Sequence, residues 1–154
     1  MNKVALITGG SKRIGREISL FLARNEYDIV VHYNSSKGEA ESLKKEILEI
    51  GVNCQIIQAD LNKVEQVKDL SKKIRGEFKN WSLLVNNASI FSKSSLKDSE
   101  IDQLSDNFNI HLQAPIILSQ ELFKHCQENN LKGNVINMVD KNITRIDTMM
   151  RKIS

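Results

Sequence analysis

Five short apolar runs, separated by segments with helical periodicity, constrain the fold of this chain more than any other feature. The runs are rich in Val, Ile and Leu, as expected of parallel strands that are covered on both faces. A strand, a helix and a further strand form the repeating unit of a doubly wound α/β sheet. The sequence therefore predicts a parallel sheet, with strands at residues 4–7, 28–33, 53–58, 82–86 and 134–139.

Apolar residues between these runs recur three and four positions apart, which predicts helices. The first stripe consists of Ile14, Ile18, Phe21 and Leu22, and another of Val64, Val67, Leu70, Ile74 and Phe78. Residues 40–50 form a further helix that should stop at Gly51. Ser99 and Asp102 resemble a capping box that opens a fourth helical region, in which Pro115 predicts a kink or a restart.

Composition favours one globular domain over residues 1–154. The chain is 40% hydrophobic and has no apolar run long enough to span a membrane. Its N-terminus does not resemble a secretory leader, so we expect a cytoplasmic protein. The net charge of +3 arises from dispersed residues, which argues against a nucleic-acid partner. Cys54 and Cys126 lie far apart without a CxxC motif, and we expect buried thiols and no metal site.

A glycine-rich turn, "ITGGSKRIG", follows the first run and opens the first helix. Gly9 and Gly10 permit a tight turn, and Gly15 should allow the helix to pack closely on the strand. Such a turn presents backbone N–H groups and a helix N-terminus to a phosphate. Lys12 and Arg13 are unfavourable at a helix N-terminus unless an anion is bound nearby. The alternatives are a phosphate site and an ordinary, solvated helix start.

The residues from Thr8 to Gly15, "TGGSKRIG", resemble the TGxxxGxG motif of the short-chain dehydrogenase/reductase family. Arg13 replaces the middle glycine, as in the TGxxxRxG variant of pteridine reductases. The further motifs "HYNSS", "ADL", "NNAS" and "NMVD" follow in the family's order. The resemblance implies a single NAD(P)-binding Rossmann domain and an oxidoreductase that transfers a hydride from NADPH to a small molecule.

The resemblance also implies which residues bind the cofactor. NAD-binding proteins place a carboxylate after the second strand, but this chain has "HYNSS" there, which favours NADP(H). Arg13, Ser35 and Ser36 are candidates for the 2′-phosphate, with Lys12 and His32 behind them. Asp60 either flanks the adenine or caps a helix. The full candidate set is Gly9, Lys12, Arg13, Ile14, Gly15, His32, Tyr33, Asn34, Ser35, Ser36, Asp60, Leu61, Asn87, Ala88 and Ser89.

Asp140 occupies the position at which pteridine reductases carry an aspartate, and it is the candidate catalytic residue. It would take part in proton relay, or else cap the strand end. The family's catalytic tyrosine and lysine should follow about a dozen residues later, where residues 147–154 contain no tyrosine. His111 stands where relatives have asparagine, and it either lies on an interior face of the helix with one backbone partner or relays protons.

Two functions follow from these motifs. One is an NADPH-dependent reductase acting on a pterin or a 3-oxoacyl thioester, and the other is an NADP-binding fragment or pseudoenzyme without turnover. Relatives are longer, so we expect a truncated domain that lacks their C-terminal strands. We then also expect a fifth strand that is unpaired on one side and a homo-oligomer that differs from that of the relatives. Residues 141–154 either fold as an amphipathic helix over that edge or are the remnant of a frameshift.

Overall fold

The computed structural model describes residues 2–91 and 100–139, in which strands and helices alternate. The strands are β1 (Val4–Ile7), β2 (Asp28–Tyr33), β3 (Cys54–Gln58), β4 (Trp81–Asn86) and β5 (Asn134–Asn137). The helices are α1 (Arg13–Arg24), α2 (Lys37–Ile50), α3 (Val64–Glu77), α4 (Ile101–Phe108) and α5 (Ala114–Glu128). A π-helical turn, Asn109–Gln113, joins α4 to α5.

The five strands form one parallel sheet in the order β3-β2-β1-β4-β5. The chain builds outward from β1 to β3 and then returns to place β4 on the other side of β1. This reversal leaves a crevice outside the carboxyl ends of β1 and β4, where ligands bind in open α/β sheets. The predicted doubly wound sheet is confirmed, and β1 and β2 have the predicted bounds.

The hydrophobic core lies in two layers, one on each face of the sheet. Leu6 points to the layer under α3 and α5, whereas Ala5 and Ile7 point to the layer under α1 and α2. Trp81 anchors the first layer and is fully buried. Strands covered in this way read as continuous apolar runs, which is why their positions could be found in the sequence.

The buried face of α1 differs from the predicted stripe. Ile14 and Phe21 are exposed, Ile18 and Leu22 are partly buried against the core, and the buried residues of the helix are Gly15, Ser19, Leu20 and Ala23. Small residues let the helix approach closely, and a search for large apolar residues passes over them. The predicted stripe was therefore wrong at Ile14 and Phe21, whereas its other two members, Ile18 and Leu22, pack against the core.

Helix boundaries follow local chemistry. Gly51, with φ of +102°, ends α2 as predicted, in the left-handed region that favours glycine. The helix restarts at Ala114, and Pro115 lies in the first turn of α5, which confirms the predicted restart. Helix α4 begins at Ile101, and Ser99 of the expected capping box lies outside the described residues.

The two cysteines are free and buried, as predicted. Burial raises the pKa of the Cys54 thiol to about 12, so this thiol is not a reactive thiolate. In residues 2–91 and 100–139, no cluster of acidic, histidine or cysteine side chains could hold a metal ion. The helices in the same ranges are too short or too polar to cross a membrane.

Candidate cofactor-binding cleft

Thr8 and Asn87 join the turn after β1 to the turn after β4. The hydroxyl oxygen of Thr8 accepts hydrogen bonds from the backbone N–H groups of Asn87 (2.9 Å) and Ala88 (3.0 Å). The Asn87 side-chain amide donates to the backbone oxygens of Thr8 (3.0 Å) and Gly9 (3.1 Å). Sequence reasoning did not single out Thr8, although a threonine directly after a strand and before two glycines was the available signal.

Two glycines of the turn are required by its geometry. Gly9 has φ of +59°, in the left-handed region. A Cβ on Gly15 would collide with the backbone oxygen of Gly9 and lie 2.6 Å from the Asn87 amide nitrogen. Close packing at Gly15 was predicted, but the contacts are with the turn and Asn87 and not with the strand.

Arg13 starts α1 in a left-handed backbone conformation, with φ of +52°. This conformation costs a non-glycine residue about 1 kcal/mol, and a glycine would adopt it without that cost. Arg13 and the preceding Lys12 are both exposed at the helix N-terminus. Glu26 and Asn130 also have positive φ outside the clefts, so the conformation of Arg13 is compatible with a functional role and does not by itself decide against a solvated helix start.

His32 lies beneath the turn and is almost completely buried. Its Nδ1 accepts a hydrogen bond from the Gly9 backbone N–H (3.1 Å), and its Nε2 lies 3.0 Å from the backbone oxygen of Ala59. Burial lowers the pKa of His32 to about 4. Because both ring nitrogens are occupied and the ring is neutral, the geometry suits a supporting position of His32 under the turn better than a direct contact with a phosphate.

A cleft of about 440 Å³ collects every candidate cofactor residue of the sequence analysis. The turn and the start of α1 form one wall, and Asn34, Ser35 and Ser36 after β2 form another. Ser11, Ile90 and Ile110 also line the cleft and were not found from sequence. The residues that the motifs named are therefore neighbours in space.

Asp60 in this cleft is also engaged in local structure. Its carboxylate accepts a hydrogen bond from the Asn62 N–H (3.0 Å) and lies 3.8 Å from the Lys63 ammonium. Its own N–H donates to the Gln66 side chain at 2.7 Å. These bonds hold the turn that precedes α3, but Asp60 does not cap that helix, whose N-cap residue is Lys63 and has no side-chain cap; the adjacent Leu61 is buried in the cleft wall.

A second cleft, of about 730 Å³, opens beside β4 and β5. The side-chain oxygen of Asn86 is buried at this site and has no hydrogen-bond partner within residues 2–91 and 100–139. Buried acceptors in folded proteins nearly always bond to a protein group or an ordered water molecule. His111 also lines this cleft, and its Nε2 accepts the Ile90 backbone N–H at 3.1 Å. His111 is exposed, so its expected interior position was wrong, whereas its expected backbone partner is present.

The candidate catalytic residue Asp140 lies outside the described residues, as does the tail 141–154. Tyr33 and Lys37 have the spacing of a YxxxK motif, but they occupy the corner between β2 and α2. Tyr33 is buried there, and Lys37 lies 3.8 Å from Glu41 on the same helix. Their place in the fold is therefore on the far side of the first cleft from Asn86 and His111.

A parallel sheet whose order reverses beside a glycine-rich turn defines an α/β protein of the Rossmann type. The chain belongs to the short-chain dehydrogenase family, whose profile matches residues 3–143. It is 41% identical over 109 residues to a 3-oxoacyl-[acyl-carrier-protein] reductase FabG from Staphylococcus epidermidis, an alignment covering 69% of this chain and 45% of that protein. The chain thus spans about half the length of this curated relative.

Two solved structures have the same fold. A short chain dehydrogenase from Burkholderia cenocepacia in complex with NADP has a TM-score of 0.86 and 31% identity, covering 94% of this chain and 58% of that one. FolM alternative dihydrofolate reductase 1 from Brucella canis, complexed with NADP, has a TM-score of 0.85 and 32% identity, covering 92% and 57%. Both match the described sheet and helices over a little more than half of their own length.

Proposed function

We propose that the first cleft binds NADP(H) and that the chain forms the cofactor-binding part of a short-chain reductase. One observation carries this proposal: two cationic side chains, Lys12 and Arg13, line the same cleft as the hydroxyls of Ser35 and Ser36. The segment "HYNSS" after β2 supplies no carboxylate to bind a ribose 2′-hydroxyl. A 2′-phosphate is the anion that this arrangement suits.

Each wall of the cleft would hold a different part of the cofactor. The start of α1 offers N–H groups that lack intrahelical acceptors, and these suit the pyrophosphate. Arg13, Ser35 and Ser36 would hold the 2′-phosphate, and Leu61 would contact the adenine. The turn after β4 leads from this cleft to the second one, which shares Ala88 and Ser89 with it.

The bound cofactor would supply a hydride to a small-molecule substrate in the second cleft. The names of two relatives state substrates: 3-oxoacyl-[acyl-carrier-protein] for the reductase FabG and dihydrofolate for FolM. Arg13 in place of the middle glycine and Asp140 after β5 favour the pterin. Asp140 would then act as a positioning or proton-relay residue for the reduced ring.

A second candidate function is an NADP-binding module without turnover. The location of Tyr33 and Lys37 at the β2–α2 corner favours it, because a proton donor must lie within reach of the reacting atoms. Oxidation of NADPH by the full chain, assayed with a dihydropterin and with a 3-oxoacyl thioester, decides between the two. Turnover supports the reductase, and tight NADPH binding without turnover supports the module.

Titration of the full chain with NADPH and with NADH, followed by nicotinamide fluorescence, tests the proposed cofactor. We expect clear preference for NADPH, and we expect Arg13→Gly to weaken NADPH binding by roughly 10- to 100-fold, as for the loss of a charge-assisted hydrogen bond. Binding of NADH should change little, because NADH has no 2′-phosphate.

The matched control is Arg24→Ala, at the exposed far end of the same helix. It removes the same charge and should leave both affinities unchanged. Thermal unfolding distinguishes the loss of a contact with the cofactor from the loss of the folded structure. Glycine relieves the left-handed strain at position 13, so Arg13→Gly should not lower the unfolding temperature. Equal binding of NADH and NADPH, or equal effects of the two variants, would contradict the proposal.

A further inference from the structure

We propose that His32 is a positioning residue that fixes the phosphate-binding turn through the neutral Nε2–H form of its ring. This inference rests on the proposed function, because the turn that His32 holds is the one assigned to the pyrophosphate. His32 itself would touch no cofactor atom. Its effect would pass through Gly9.

The two ring contacts define the proton positions. The Gly9 N–H is a donor, so Nδ1 must be an unprotonated acceptor at 3.1 Å. The Ala59 backbone oxygen is an acceptor, so Nε2 must carry the hydrogen at 3.0 Å. Protonation of Nδ1 would place two donors face to face and release Gly9. Only one of the three imidazole forms satisfies both contacts.

The same residue connects three segments of the cleft. Its backbone oxygen accepts the Gly10 N–H at 3.0 Å, so His32 holds consecutive residues of the turn by its backbone and its ring. Ala59, on the other side of the ring, directly precedes Asp60 and Leu61 in the cleft wall. The ring therefore sets the distance between the turn and the end of β3.

Charge around the ring leaves this form undisturbed. Asp60 is the charged group that acts on His32, and its carboxylate favours protonation, but burial of the ring outweighs it. The buried, fully bonded ring has no freedom to turn toward the cleft. A side chain that makes only one of the two hydrogen bonds would hold either the turn at Gly9 or the end of β3 at Ala59, but not both.

Two amide side chains divide the ring contacts between them. In His32→Asn the side-chain oxygen stands near the position of Nδ1 and can accept the Gly9 N–H, but the chain is too short for Ala59. In His32→Gln the terminal amide stands near the position of Nε2 and can donate to Ala59, while Gly9 loses its acceptor. We expect NADPH affinity within about threefold of wild type for Asn and about tenfold weaker for Gln.

The control is His125→Gln, in a second buried histidine on α5 whose Nε2 lies 3.0 Å from the Lys79 backbone oxygen. It reports the effect of replacing a buried imidazole away from the cleft, and NADPH affinity should not change. If all three variants weaken binding in proportion to their loss of stability, His32 is structural only and the proposal is wrong. Equal affinities of His32→Asn and His32→Gln overturn it as well.

Nitrogen-15 NMR of the histidine rings in the full-length protein gives a readout independent of the cofactor. We expect His32 at neutral pH to show a protonated Nε2 and an unprotonated Nδ1, and a ring protonated at Nδ1 overturns the proposal. Wild-type protein that fails to bind NADPH overturns the proposed function, and with it the purpose assigned to the turn. Wild-type binding with no difference between the amide variants overturns the positioning role alone.

Discussion

Burial of His32 makes the protonation of one imidazole a determinant of stability. An exposed histidine has a pKa of about 6.5, whereas burial lowers the pKa of His32 to about 4. The unfolded chain therefore binds a proton in a pH range where the folded protein does not. Folding is disfavoured in that range, because proton binding stabilises only the unfolded chain.

Acidification therefore lowers the free energy of unfolding through His32. The contribution of His32 is fully present above the unfolded pKa and is lost as the pH falls from about 6.5 to about 4. The loss amounts to about 3 kcal/mol for one group over this range. Urea unfolding at a series of pH values should show wild type losing stability relative to His32→Asn, which cannot titrate. A difference that stays constant with pH would contradict a buried, neutral His32.

For single residues, the sequence predicts the region of the fold but not the contacts that the side chain makes. The motifs located His32 in the cofactor region, but only the fold shows that its ring faces inward and meets Gly9 and Ala59. Arg13 was recognised as unusual because a glycine is common there, and its left-handed backbone supplies the reason. Residue type and order predict proximity to a site, whereas burial and bond partners decide what each residue does.

At the scale of elements, β1, β2 and β4 could be placed closely because they are covered on both faces and read as apolar runs. Helix α1 could not be oriented in the same way, since three of its four buried residues, Gly15, Ser19 and Ala23, are small. The π-helical turn before Pro115 was predicted only as a restart. It brings Ile110 to both clefts and His111 to the second, which no periodicity indicates.

Gly15→Ala tests how closely α1 must meet the turn. The added methyl group would collide with the Gly9 backbone oxygen and the Asn87 amide, so the turn must shift. We expect a loss of about 1–3 kcal/mol in the free energy of unfolding, as for overpacking of a filled site, and loss of NADPH binding. Chemical denaturation and cofactor titration measure the two effects.

Gly38→Ala is the matched control, because a Cβ at Gly38 meets nothing within 4 Å. Gly38 lies in α2, where alanine is the better helix former, so this variant should gain about 0.5–1 kcal/mol. If Gly15→Ala were as stable as Gly38→Ala, the close approach of α1 to the turn would not be a requirement of the fold.

At the scale of the whole molecule, large apolar side chains are exposed on the surface formed by α4 and α5. Exposed large apolar side chains follow α4, the π-helical turn and α5, and they are Ile101, Leu104, Phe108, Leu112, Ile116 and Phe123. β5 is the outer strand of the sheet in the described part of the chain, and Val135 and Ile136 are partly exposed on it. Exposed large apolar side chains that follow connected helices are typical of interaction surfaces. An edge at the fifth strand was expected from the sequence. Which side chains of α4 and α5 are exposed depends on how each helix is rotated about its own axis.

We therefore predict that the chain self-associates through the α4–α5 surface. Phe123→Lys places a charge on this surface and should shift the protein toward the monomer in sedimentation-velocity runs at equal concentration. Phe21→Lys is the control, because Phe21 is similarly exposed (63% against 70% for Phe123) but lies on α1, on the opposite face of the sheet. It should leave the association unchanged. A monomeric wild-type chain would contradict self-association altogether, whereas equal effects of the two lysines would show that association does not use α4 and α5. In the second case, a Val135→Lys variant would reveal whether the β5 edge is used instead.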